Sequence, residues 1–119
     1  MSCHELPPPQ LLEGIAQFNR GEFFEQHETL ELLWRAETRN VRYLYQGILQ
    51  IGVAFHHLHR LNHHGTVYML TRGSNYLRPF APRCQQVDVQ ALLDAVERLG
   101  PARLAEFDWT LVPTVHLVE

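Results

Sequence analysis

The stretch Phe18-Asn19-Arg20-Gly21-Glu22-Phe23-Phe24-Glu25-Gln26-His27-Glu28-Thr29-Leu30-Glu31-Leu32-Leu33-Trp34-Arg35 decides the fold. Asn19-Arg20-Gly21 reads as a turn, and the residues after it have the helical period. Wound at about 100° per residue, Phe23, His27, Leu30, Glu31 and Trp34 share one face, with Phe24 and Glu28 on its flank. Glu22 and Glu25 sit in the first turn, where negative charge suits the positive end of the helix dipole. Ionisable groups therefore intrude on an apolar face. A buried polar group left unmet costs about 1–3 kcal/mol, so His27 and Glu31 need partners. One helical turn apart, they can meet each other.

Outward from this helix the rest of the chain is also helical. Upstream, Leu11, Leu12, Ile15 and Phe18 give a short helix over 10–19, preceded by a proline-rich lead-in, residues 1–9, that reads as flexible and carries Cys3. Downstream, Asn40 is placed to cap a long third helix over 41–61. That helix is apolar nearly all round, with Gln46, Gln50, Val53, His57 and Leu61 on one face and Ile48, Ile51, Phe55 and Leu58 on another, as expected of a central element. Gly47 and Gly52 inside it mark the close approach of another backbone. Asn62-His63-His64-Gly65 reads as a turn, and Thr66–Arg78 as a fourth helix with Val67, Leu70, Ser74 and Leu77 inward. Pro79 and Pro82 end it. Asp88 can cap a fifth helix over 89–99, with Leu92, Leu93, Val96 and Leu99 as its stripe and Gly100-Pro101 as its stop. The last segment, through Phe107, Trp109, Leu111, Val112 and Val115, is too apolar to be free and should lie extended across the helices or a neighbouring subunit. The expected fold is all-α, a compact single-domain bundle of about five helices over 10–119 with an apolar extended tail.

Composition supports this. A chain of 119 residues suits one domain with a real core, and 45% hydrophobic against 19% charged residues is ordinary for a globular protein. No segment approaches the roughly 20 apolar residues of a membrane span, and no signal-like start is present, so a soluble cytoplasmic protein is expected. Cys3 and Cys84 lack metal-type spacing, and a reducing compartment is the simplest setting. From Thr38 to Val87 there is no Asp or Glu, yet there are Arg39, Arg42, Arg60, Arg72, Arg78 and Arg83 and five histidines. A basic middle could touch nucleic acid. A net charge of −3 and no aromatic-basic interleaving along the sequence argue against it, in favour of arginines paired with acids of the flanking helices.

Antiparallel packing of the second and third helices would set His27, Glu28 and Glu31 against Gln46, Gln50 and His57. A carboxylate–histidine set between helices is how bundle metal sites are built, and His27, Glu31 and His57 are the candidate ligands for a divalent metal. The set is smaller than a di-metal site requires. His27-Glu28 also lacks the second histidine of the HExxH zinc pattern. The alternative is a hydrogen-bonded network that orients the helices. His56, His57, His59, His63 and His64 do not share a face, which suits adventitious surface binding. Ser2, Ser74 and Cys84 carry no nucleophile signature, and no phosphate-binding glycine loop is present. Trp34 is at a core position, its indole N–H needing one acceptor.

At these residues the chain resembles the small helical proteins grouped as domain of unknown function family 309, marked by an HxxxExxW motif, here His27, Glu31 and Trp34. FNRGEFFEQHETLELLWR is similar to the family's FNxGxFFExHExLExxW pattern. YQGILQIGVAFHHLHRLN is similar to its QGLIQxAxAxxHxxxGN segment, through Gln46, Gly47, Gln50 and His57. The resemblance covers residues 11 to 80. Leu61 stands where the pattern prefers Gly, and Thr66 replaces Ala after Gly65. The resemblance implies an all-helical fold and a pairing of the two motifs, and it brings no established activity. Three functions are thus in view. The first is a helical module, open to homo-oligomer formation, whose His27, Glu28, Glu31, Trp34, Gln46, Gln50 and His57 form a structural polar network or ligand pocket. The second is a hydrolase, with or without metal, using Glu28 or Glu31 as base with His27. The third is a nucleic-acid binder through the arginine-rich middle.

Overall fold

The computed structural model describes residues 2–99 and 112–118. Among the described residues five α-helices form, near where the periodicity places them: α1 (Pro9–Asn19), α2 (Phe23–Ala36), α3 (Arg42–His59), α4 (His63–Leu77) and α5 (Val89–Leu99). Each of the first four packs on the next, and α5 packs on α4. The core runs through Leu11, Phe18, Leu30, Leu44, Ile48, Ile51, Phe55, Leu77 and Leu92, all essentially solvent-free. α3 is central and buries most of its circumference, as its all-round apolar sequence implies. Of the apolar residues that mark α1, Leu11, Ile15 and Phe18 are buried and Leu12 is exposed. No helix of the described residues is long and apolar enough to cross a membrane.

Two helix-to-helix turns share one construction. After α1, the Glu22 N–H bonds the Gln17 carbonyl (2.9 Å) and the Gly21 N–H that of Phe18 (2.9 Å). After α3, the Asn62 N–H bonds the His57 carbonyl (2.9 Å) and the Leu61 N–H that of Leu58 (2.9 Å). Both are Schellman closures, which need a left-handed residue between the two helices. Gly21 takes that place at φ 78° and Leu61 at φ 59°. The sequence thus departs from the family-like glycine at a position where the backbone favours one.

Asn62 also accepts from the Gly65 N–H at 2.9 Å, so α4 starts at His63 and not at Thr66. The segment read as a turn is this helix's capped first turn. Asn40, expected to cap α3, makes no side-chain cap bond; its carbonyl accepts from Tyr43 instead. Asp88 caps α5 as expected, accepting from the Ala91 N–H at 3.0 Å.

α3 and α4 meet backbone to backbone. A methyl group on Gly73 would lie 2.9 Å from the Gly47 carbonyl oxygen, and one on Gly47 would lie 3.0 Å from that of Gly73. This is the close approach that the helix-interior glycine signalled.

Beyond α4, β1 (Arg83–Cys84) and β2 (Val87–Asp88) pair antiparallel around Gln85 and Gln86, both at positive φ (47° and 67°). Buried Gln85 gathers the chain here. Its Oε1 accepts from the Tyr45 hydroxyl (2.8 Å), its backbone N–H donates to the Cys3 carbonyl (2.8 Å), and its Nε2 donates to the Ser2 carbonyl (3.3 Å). Cys3 is joined to Cys84 by a disulfide. The lead-in is therefore pinned across the bundle, with Glu5 also bound to Arg39 at 2.9 Å, and does not hang free. Residues 112–118 lie extended: Asn19 exchanges two hydrogen bonds with the Val115 backbone, and Leu117 bridges Val87. Phe107, Trp109 and Leu111 lie outside the described residues.

Candidate functional site

α2 and α3 run antiparallel, and two contacts fix their seam. At one end the Arg42 guanidinium lies 4.2 Å over the Trp34 ring. At the other, Phe23, Phe24 and His27 of α2 face Val53 and His56 of α3 around a hollow of about 200 Å³. Gln46 and Gln50 lie between, on the helical stripe that starts at Arg42. Of the residues that the sequence nominated, the seam brings Trp34 and His27 against α3, with Arg42 added; Glu28 faces solvent and His57 lies beyond the seam, beside Asn62.

Polar atoms here are largely unmatched. Trp34 Nε1, Arg42 Nε, Gln46 Oε1 and Gln50 Oε1 are buried and have no hydrogen-bond partner. Gln26, fully buried against Gly52, donates from Nε2 to the Leu49 carbonyl at 3.1 Å but leaves its Oε1 unpaired. Two donors and three acceptors are thus held out of water without a mate. Each orphan carries a penalty of about 1–3 kcal/mol.

The charged residues of the motif behave differently. Glu31, with its side chain about 26% exposed, pairs with Arg35 at 3.2 Å and not with His27. Glu28 is exposed. His27 is half-buried at the apolar hollow beside Phe24 and His56. His57 lies seven residues beyond Gln50 on α3, about 10 Å along the axis, with its Nδ1 3.4 Å from Asn62 Nδ2. The proposed metal ligands His27, Glu31 and His57 are therefore not gathered. Among the described residues no three His, Cys, Asp or Glu side chains come together as a metal-holding group. The reason is geometric: α3 meets α2 through Arg42 at Trp34, Leu49 at Gln26 and His56 at the hollow near the start of α2, and His57 lies at the far end of that overlap. Burial leads, and the nearby Arg60 adds, in holding the His56 imidazole below its ordinary pKa.

The middle arginines follow the acid-pairing expectation only in part. Arg39 binds Glu37 (2.7 Å) and Glu5 (2.9 Å), and its hydrogen bonds hold the Glu37 carboxyl down at about 2. Arg42 and Arg72 lie instead on aromatic rings. Sequence reasoning missed Gln26, Arg42 and this aromatic use of arginine. For Gln26 the one available signal was its place a turn before Leu30 on the buried side of α2.

No curated protein matches the chain. Residues 11–69, which span α1 to α3 and the first half of α4, match the sequence model of the family described as Domain of unknown function (DUF309). Through that segment, which carries both halves of the α2–α3 seam, the chain belongs to this family of unknown function.

Proposed function

We propose that the chain is a small helical binding module whose α2–α3 seam takes a small polar ligand against Trp34, Arg42, Gln46 and Gln50. The observation that supports this reading is the set of unmatched buried polar atoms along the seam. Trp34 Nε1 and Arg42 Nε call for an acceptor such as a carboxylate or carbonyl oxygen, and the glutamine oxygens call for N–H or O–H donors. A ligand with an acceptor at one end and a donor at the other, the pattern of an amino acid or a small amide, meets both. These atoms are covered by protein, so entry needs α2 to shift on α3.

A hydrolase has less support. Glu31 is occupied by Arg35 in partial contact with water, Glu28 faces solvent, and neither is bonded to His27 as a positioned base requires. The test is an NMR titration with a panel of amino acids and small amides, following the Trp34 indole N–H and the glutamine side-chain amides. Saturable shifts confined to these signals, lost in Gln46→Leu, are expected. A panel that moves none of them, beside turnover of model esters or amides that fails in Glu31→Gln, would replace the binding module with the hydrolase.

A further inference from the structure

The outer faces of α3 and α4 carry a row of rings and guanidinium groups. Tyr43 at the start of α3 and Tyr76 near the end of α4 stack with centroids 5.7 Å apart and planes 1° from parallel. One turn before Tyr76, Arg72 donates to the Tyr68 hydroxyl (2.9 Å) and the Tyr76 hydroxyl (3.3 Å), its guanidinium 5.6 and 5.9 Å from those ring centroids. Arg42 lies 6.0 Å from the Tyr43 centroid and continues the row to Trp34. In spatial order the row reads Trp34, Arg42, Tyr43, Tyr76, Arg72, Tyr68. Two hollows flank Tyr76. One, of about 360 Å³, is lined by Asn40, Tyr43, Asn75, Tyr76, Pro79 and Phe80; the other, of about 310 Å³, by Arg72, Asn75 and Tyr76.

We propose that this row is a binding surface for single-stranded nucleic acid, with a base in the first hollow against Tyr43 and Tyr76 and the adjoining phosphate in the second, on Arg72. Aromatic faces beside a cationic track are how unpaired strands are held, because every base offers a π-face for stacking. The Asn40 and Asn75 carboxamides, which line these hollows, offer donors and acceptors to a base edge. Charge is complementary: no Asp or Glu occurs from Thr38 to Val87, so neither α3 nor α4 repels a phosphate. The two tyrosine hydroxyls orient Arg72 without neutralising it, and among the described residues no carboxylate pairs with it. Arg78, bonded to Asn75 Oδ1 at 3.4 Å, lies off this row and lines the α4–α5 hollow with Asp94 and Glu97, so the cations of the row itself are Arg42 and Arg72. A duplex keeps its bases stacked on one another and cannot use the hollows. The interleaving absent along the sequence is created by the packing of α4 on α3.

The experiment is fluorescence anisotropy of the full chain with a labelled oligothymidylate and with a duplex of equal length, at low salt where phosphate contacts are strongest. Binding of the single strand ahead of the duplex is expected. Tyr76→Leu should weaken it about 10-fold or more, as loss of one stacking platform does. Tyr76→Phe should keep most of the affinity, and Arg72→Gln should weaken binding and flatten its salt dependence. Circular dichroism melting accompanies each variant. Should Tyr76→Leu fail to fold, Arg72→Gln decides, since Arg72 is exposed on the outer face of α4. The proposal is overturned by no binding at low salt, by equal binding of duplex, by unchanged affinity in folded Arg72→Gln, or by sedimentation showing the row buried in a dimer that Tyr76→Leu dissolves.

Discussion

Replacing Gln50 by methionine separates a pocket from a lock. Gln50 is 5% exposed, and its Oε1 is buried with no partner. Methionine has similar length and similar helix propensity, so shape and backbone preference are nearly held constant. What changes is the unmatched acceptor, whose burial costs about 1–3 kcal/mol. Part of that gain is lost because methionine fills the site less specifically than the amide. A net stabilisation of about 1 kcal/mol is expected in the ligand-free protein. For 119 residues the unfolding entropy at the midpoint is about 0.25 kcal/mol/K, so Tm should rise by about 4 °C. Calorimetry and urea unfolding read this directly. A loss of 1 kcal/mol or more would refute the reasoning, because it would mean that Gln50 is satisfied in solution and holds the helices in register. The variant would then mark a structural network, and the seam would no longer be a receiving site.

Three further outcomes rest on geometry. Leu61→Gly should stabilise by about 0.5–1 kcal/mol in chemical denaturation, since a left-handed leucine costs about 1–2 kcal/mol and glycine returns part of that as unfolded-chain entropy; a loss of stability would show that Leu61, although 79% exposed, is held by packing. Gly73→Ala should destabilise by about 1–3 kcal/mol despite alanine's better helix propensity, because its methyl would meet the Gly47 carbonyl and the Ile51 side chain; an unchanged urea midpoint would deny the backbone contact. Arg39→Ala should return the Glu37 carboxyl from about 2 towards its ordinary value, as read by NMR titration. The sign is that of a depressed acid: the interaction is present above the unfolded carboxylate pKa and is lost as pH falls towards about 2, and a Glu37 titration that ignores Arg39→Ala would refute the pairing.

The helices are legible because each rests on local signals: the 3.6-residue period, Gly21 and Pro79 as breaks, Asp88 as a cap. The segment at Asn62 misleads because one asparagine both closes α3 and caps α4, and its turn lacks the usual glycine. The β1–β2 hairpin is illegible since Gln85 and Gln86 hold positive φ without Asn or Gly. The pinned lead-in depends on a disulfide between residues 81 apart, a distance at which sequence carries no pairing signal. At the candidate site the helical stripe picks out Trp34, Gln46 and Gln50. It carries neither the axial offset that sets His57 apart nor the cross-helix stacking that turns Arg42 and Arg72 towards rings.

The contact of Gly47 with Gly73 has a mechanical consequence. Where two helices touch through backbone atoms there is no layer of side chains to deform, so α3 and α4 form a stiff plate with little freedom to slide. α2 rests on that plate through side chains, several of them unmatched amides and an indole, and is the softer partner. If the seam opens to the proposed ligand, the movement falls to the α1–α2 hairpin, against the two Asn19–Val115 hydrogen bonds that hold its far end, while α3 and α4 keep their spacing. Hydrogen exchange should register this as amides of α2 that open well below the free energy of global unfolding, against a slow plate behind them.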